Sequence, residues 1–379
     1  MSIIIFIIVL AVLIFVHELG HFVAARLFGI RVEAFKLGFG PKLFSWKKGE
    51  TEYGVNAIPF GGYVKIYGEN PDEDSTSGSD SKRSFVNKPR WVQIIVLSSG
   101  VLCNFIFAWL LYSAVFMSGV TVPTAGFTQY ADRFVDPRII LVYVLPGSPA
   151  EKAGLKEGDI IRYVETIAMN AERGRQTTPT DLHKTAQTID EVKSIVNQSG
   201  TKPVSVEYER DGHNTILGIV PEEGIIDGSY AIGISMDTVA DLRLPVLSAI
   251  GEGFRYVIML IKETFIGLYG FVSNIFRGHP NFSDVAGPVG IAGIVGNAAA
   301  LGFTYLVMVT ALISINLGVI NLVPFPALDG GRILFALLEA VFRRRIPAKF
   351  ANAVNAIGFM LLMLLMVAVT WKDVAKMFK

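Results

Sequence analysis

The chain has 379 residues, 51% of them hydrophobic and only 18% charged, with a formal net charge of +1. So apolar a composition lies outside the ordinary soluble range, and near-neutrality without a basic stripe argues against nucleic acid as a partner. The one cysteine, Cys103, excludes an intrachain disulfide and falls inside an apolar stretch.

Residues 2–16 carry no charge and residues 22–25 are again apolar, which predicts a first membrane-spanning helix. It has neither the basic n-region nor the small-x-small site of a secretory signal, so it is expected to stay in place. Within it stands His17-Glu18-Leu19-Gly20-His21. On a helix, positions i and i+4 share a face, so both imidazoles can turn a nitrogen toward one metal. Glu18 lies beside that face, where it can act as general base without being a ligand. Three ionisable groups in five positions of an apolar span are costly unless they form a site, and the pattern suggests hydrolysis at membrane depth.

Residues 26–90 are rich in Lys and Arg near both flanking spans, which predicts a cytoplasmic connection. Within it, residues 51–67 carry β-type residues around Pro59 and the Gly61-Gly62 pair, a hairpin signal. Residues 69–80 are polar and read as a mobile surface loop. A second span is expected in the nearly charge-free stretch 91–135. Residues 122–241 then form a water-soluble insertion. Here the segment 144–160 reads as a strand, a helix capped at Ser148, and a Gly158-Asp159 turn into another strand. That run resembles a PDZ domain. Residues 173–188 look like a polar loop, and residues 203–209 and 215–220 like strands paired across Asp211-Gly212. Residues 247–276 are helical but interrupted by Glu252, Arg255, Lys262 and Glu263, so an amphipathic helix on the outer membrane surface is expected. The charge-free stretch 285–328 supplies a third span and residues 350–371 a fourth. The basic connection containing Arg343, Arg344, Arg345 and Lys349 is expected to be cytoplasmic. The expectation is a polytopic α-helical membrane protein with four transmembrane helices, a re-entrant β-hairpin and an extracytoplasmic PDZ-like α/β insertion. Its divisions are 1–119, 120–244 and 245–379.

Two histidines leave zinc one protein ligand short. Asp329 is the first charge after Asp284 and lies near the cytoplasmic end of the third span, where a carboxylate alone is costly and one bound to zinc is neutralised. Before it, Pro324 and Pro326 forbid a regular helix. Irregular backbone at membrane depth persists where it is buried or lines a cavity. It can offer free carbonyls and the Asn321 amide to an extended substrate. A zinc transporter could use the same three ligands but has no need of Glu18.

His-Glu-x-x-His in the first span, Asn-x-x-Pro-x-Pro-x-Leu-Asp-Gly in the third and a PDZ-like insertion between the second and third resemble the site-2 protease family of intramembrane zinc metalloproteases. The nearest branch is that of the bacterial regulator-of-sigma-E proteases. The resemblance implies one Zn2+ per chain held by His17, His21 and Asp329, with Glu18 as catalytic base. It implies that Asn321, Pro324 and Pro326 handle substrate, and that the hairpin around Gly61 and Gly62 is an edge pairing with substrate. It further implies a place in the bacterial cytoplasmic membrane and single-pass transmembrane substrates, pre-cleaved outside, such as anti-sigma factors or signal-peptide remnants. The PDZ-like unit would bind extended peptide or gate access.

Overall fold

A computed structural model describes residues 2–69, 73–166, 188–226, 228–278, 286–344 and 346–377. Helix α1 (Ser2–Leu27) leads into strands β1 (Val32–Lys48) and β2 (Thr51–Ile66), the short helix α2 (Glu73–Ser77) and the long helix α3 (Arg90–Ser118). There follow β3 (Val120–Pro123), β4 (Phe134–Val144), α4 (Pro149–Ala153), β5 (Ile160–Thr166), α5 (Ile189–Ser199), β6 (Val204–Arg210), β7 (His213–Ile219), β8 (Glu222–Ile226), β9 (Ser229–Ala231) and β10 (Ile234–Leu242). The chain continues through α6 (Val246–Phe276), α7 (Pro288–Leu301), α8 (Phe303–Leu322), α9 (Asp329–Phe342) and α10 (Ala348–Met377). It divides into two compact units, Met1–Met117 with Pro245–Lys379, and Ser118–Leu244.

The helical unit is built on close antiparallel contact between α1 and α3. In an apolar solvent helices gain little from burying greasy surface, so small residues that let backbones meet decide the packing. Gly20 of α1 lies where any Cβ would overlap the Ser99 carbonyl of α3, and Gly100 of α3 is packed equally tightly against the two histidine rings. The apolar cluster beside this crossing joins Ala24, Ala25, Ile30 and Val32 to Val92 and Val96. Toward the other end of α1, Val9 and Leu13 meet Val295 of α7. Helix α8 runs antiparallel to α3, with the Tyr112 hydroxyl donating to the Met308 carbonyl at 3.3 Å and the Ser314 hydroxyl to that of Asn104 at 2.9 Å.

Strands β1 and β2 are long and doubly used. Ala34, Phe35, Lys36 and Leu37 pair on one side with Glu52 to Val55 and on the other with Gly62 to Lys65, while Phe44 to Lys48 pair with Thr51 to Val55. The hairpin expected at residues 51–67 is therefore half of a four-segment sheet. Residues 62–66 form one edge of it, lying against α1.

Three other expectations can be set against the structure. The segment 285–328 is two helices, α7 and α8, broken at Gly302, whose φ of 126° no L side chain adopts easily. Residues 247–276 form one continuous helix, α6, as expected, although by length and composition it is one of five described helices that could cross a membrane. Its charges are less disruptive than they look, because Arg255 Nε donates to Glu252 Oε1 at 2.8 Å. Finally, the polar stretch 69–80 contains α2. The Asn87 amide donates to the carbonyls of Ser75, Thr76 and Ser81, and Arg31 pairs with Asp80 at 3.0 Å, so residues 73–80 are tied down by polar bonds that composition does not reveal.

The second unit is a six-stranded antiparallel sheet in the order β3-β10-β4-β5-β6-β7 with a small β8-β9 pair. Alternate residues of β6, Val204, Val206 and Tyr208, face a core shared with Ile139, Leu141 and Val192. Ser148 caps α4 by accepting the Glu151 amide, as its residue type and position predict. Asp211 and Gly212, both with positive φ, make the two-residue turn between β6 and β7. The polar loop expected at 173–188 falls almost entirely outside the described residues.

Candidate metal centre

His17 and His21 occupy one face of α1, one turn apart and buried. Asp329 reaches them from the first position of α9. Its Oδ2 lies 3.0 Å from His17 Nε2 and 3.3 Å from His21 Nε2, and the two Nε2 atoms are 3.3 Å apart. Among the described residues these three form the one group whose ligand atoms converge, all within 4.8 Å of one another.

The remaining ring nitrogens are spoken for. His21 Nδ1 donates to the Val96 carbonyl at 2.8 Å, which leaves Nε2 as the lone-pair nitrogen. The side-chain amide of Asn104 faces His17 Nδ1 at 3.2 Å. Turned so that its oxygen meets the ring, this amide accepts Nδ1–H and frees His17 Nε2 in the same way. Asn104 Oδ1 and Asp329 Oδ2 are both buried without a hydrogen bond. Two lone-pair nitrogens and an unsatisfied carboxylate oxygen around one point are the donor set of a zinc ion, so the residues present fit that group.

The backbone around Asp329 is shaped by absent side chains. A Cβ on Gly330 would overlap the Val323 carbonyl, and one on Gly331 the Phe325 carbonyl, so the first turn of α9 nests under the loop that precedes it. That loop is held from α10: the Asn355 side-chain oxygen accepts the Ala327 amide at 3.2 Å, and Gly358 lies flush against Pro326. Ala327 itself adopts a φ of 75°.

Glu18 shares a cavity of about 350 Å³ with His17, His21, Asp329, Arg332 and residues 63–66 of β2. The Val64 amide donates toward its carboxylate. Gly62 packs beside it, and a Cβ there would stand 3.6 Å from Glu18 Cγ. Gly61 instead makes room for the Phe39 ring. Asn321, Pro324 and Pro326 are not on the wall of this cavity. Asn321 ends α8, and the two prolines belong to the segment that delivers Asp329. Asn104, Gly100, Glu69 and Arg332 were not foreseen. A lone amide in a charge-free span was the available signal for Asn104, and the i+3 spacing from Asp329 was the one for Arg332.

The model of peptidase family M50 matches residues 5–365. The chain belongs to that family, the site-2 proteases. A Clostridium perfringens protein named "Putative zinc metalloprotease CPE1693" is 38% identical over 96% of this chain and 95% of its own length. A similarly named Synechocystis protein, slr1821, is 35% identical over 96% and 92%. "Zinc metalloprotease RasP" of Geobacillus kaustophilus is 30% identical over 100% and 98%. As an M50 peptidase the protein is a zinc metalloprotease of the membrane, in keeping with its apolar helices.

Proposed function

We propose that this M50 peptidase is an intramembrane endopeptidase that hydrolyses peptide bonds within or next to transmembrane segments of single-pass proteins. One observation carries the reading. The three converging ligands and Glu18 share a cavity with residues 63–66, the edge segment of the β1–β2 sheet. A transmembrane helix hides its carbonyls in internal hydrogen bonds and must be unwound before attack. Pairing the unwound stretch along this edge supplies replacement bonds, and so offsets part of the unwinding cost.

His17, His21 and Asp329 would hold one zinc ion per chain, which when bound polarises the scissile carbonyl and acidifies the attacking water. Glu18, oriented by the Val64 amide, takes the proton from water and returns it to the leaving amine. Gly62 admits the substrate strand beside Glu18, while Asn321, Pro324, Pro326 and Gly61 act through the loop and sheet that shape the cavity. We place the protein in a bacterial cytoplasmic membrane with the PDZ-like unit outside. In that unit a groove of about 550 Å³ between α5 and the chain around Gly233 and Ile234 suits an extended peptide, in line with substrates trimmed beforehand.

The test is cleavage of a panel of single-pass transmembrane peptides by detergent-purified protein, wild type beside Glu18→Gln, with zinc measured in both. The expected result is cleavage inside the apolar segment by wild type alone, with zinc retained in both samples. Full zinc in both and no cleavage of any trimmed substrate would overturn the reading.

A further inference from the structure

Arg332 stands one helical turn beyond Asp329 and shares its face of α9. Its guanidinium lines the metal cavity with Glu18 and at the same time pairs with Glu69. Arg332, Glu69 and Leu97 also line a second cavity of about 380 Å³, whose other walls include the Arg90–Glu339 pair, Asn352 and Asn355. The Arg332–Glu69 pair thus lies on the wall shared by the metal cavity and this second cavity, whose lining is mixed, with Phe85, Val86, Phe335 and Ile346 beside the charged pairs.

A substrate peptide bond is neutral and cannot displace a carboxylate from a guanidinium. Hydrolysis changes that. The C–N bond breaks, the water oxygen joins the acyl carbon, and both water protons pass to the leaving amine, which departs as an ammonium, so a new α-carboxylate is formed in the cavity that Arg332 lines. It is the chemical equal of the Glu69 side chain, and guanidinium binds either through the same paired N–H groups. We propose that Arg332 and Glu69 form a product latch. Arg332 exchanges Glu69 for the new α-carboxylate, and the parted pair opens the metal cavity to the second cavity, through which the carboxylate-ended fragment leaves. The latch stays shut on substrate and opens on product.

This inference rests on the endopeptidase reading, and its test is independent of turnover. Full-length protein stripped of metal by chelation is titrated with a fluorescent apolar pentapeptide ending in a free carboxylate and with its C-terminal amide. Wild type is expected to bind the acid about tenfold tighter, the scale of one charge-assisted hydrogen bond. Arg332→Gln should erase the preference. Glu69→Gln, which removes the internal competitor, should enlarge it several-fold, an effect opposite in sign to any loss of folding. Equal binding of acid and amide by wild type overturns the latch, as does a preference that survives Arg332→Gln, which would place the carboxylate in the PDZ-like groove. Substrate cleavage without acid preference sinks the latch alone, whereas acid preference without cleavage sinks the endopeptidase reading.

Discussion

Asn104 is not itself a metal ligand, yet its amide decides which nitrogen of His17 carries the proton. Outer partners of this kind typically hold a factor of about 10–100 in metal affinity. Asn104→Ala is therefore expected to weaken zinc binding by about that factor, read by competition with a chromophoric chelator, while Asn104→Asp, which still accepts the Nδ1 proton, keeps most of it. Gly100 gives a sharper outcome. An Ala there favours the helix by about 1 kcal/mol, but its methyl would occupy the space of His21 Nε2. Gly100→Ala should retain a cooperative melt and lose zinc and activity together. A variant with normal zinc content would show that the rings have room to retreat. At this scale the meeting of His17, Glu18, His21 and Asp329 in one cavity was legible because residue type and spacing coincide. Asn104 and Gly100 matter only because α1 and α3 approach closely, a contact between residues about eighty positions apart that no local pattern encodes.

The P-x-P loop owes its shape to its neighbours as well as to its prolines. Pro324 and Pro326 forbid a helix, but nothing in their own chemistry selects the conformation that carries Asp329 to the histidines. Gly358 and Asn355 of α10 supply that selection by contact and by hydrogen bond, holding Ala327 in the left-handed region. A Cβ at Gly358 would come 2.5 Å from Pro326 Cβ and 2.7 Å from its carbonyl oxygen. Gly358→Ala is expected to cost about 1–3 kcal/mol of stability through overpacking. It should also lower zinc affinity, because the displaced loop carries Asp329. Thermal melts in detergent with and without added zinc check both effects, and a variant with unchanged zinc affinity would mean that the loop is set by α8 and α9 alone. The prolines made the loop's irregularity readable, but the glycine on a distant helix gave no sign of its purpose. The hairpin was likewise half legible: its turn residues stand in the sequence, while the second partnership of residues 34–37 depends on β1 folding between two segments of β2.

For the whole molecule the open quantity is how many of the five long apolar helices cross the bilayer. Antiparallel packing supplies a parity argument. Helix α1 runs from its Ser2 end toward its Arg26 end, and α3 returns, since Ala24 and Ala25 join Val92 and Val96 in one cluster and His17 meets Asn104. Helix α8 descends again, from the level of Tyr112 to Asp329 beside the histidines, and α10 ascends from Asn355 at the loop to Asp373, which accepts the Gly287 and Gly290 amides. Helix α6 begins beside the far end of α3, where Trp109 Nε1 donates to the Ile250 carbonyl at 2.8 Å. Were α6 to cross from there, the chain would have to cross back before α8 starts. Only α7 is available for that, and its 14 residues span about 21 Å against a hydrocarbon core of about 30 Å. The parity argument predicts four crossings, with α6 not completing one despite a composition that would permit a span. Cys103 is the only cysteine, so a Cys103→Ser background makes the measurement clean. Single cysteines at Ser2 and Ser273 should react with a membrane-impermeant maleimide from the same side, and one at Ser45 in the β1–β2 sheet from the other. Labelling of Ser273 together with Ser45 would put the end of α6 across the membrane, and would require α7 to complete a return for which its length is too short.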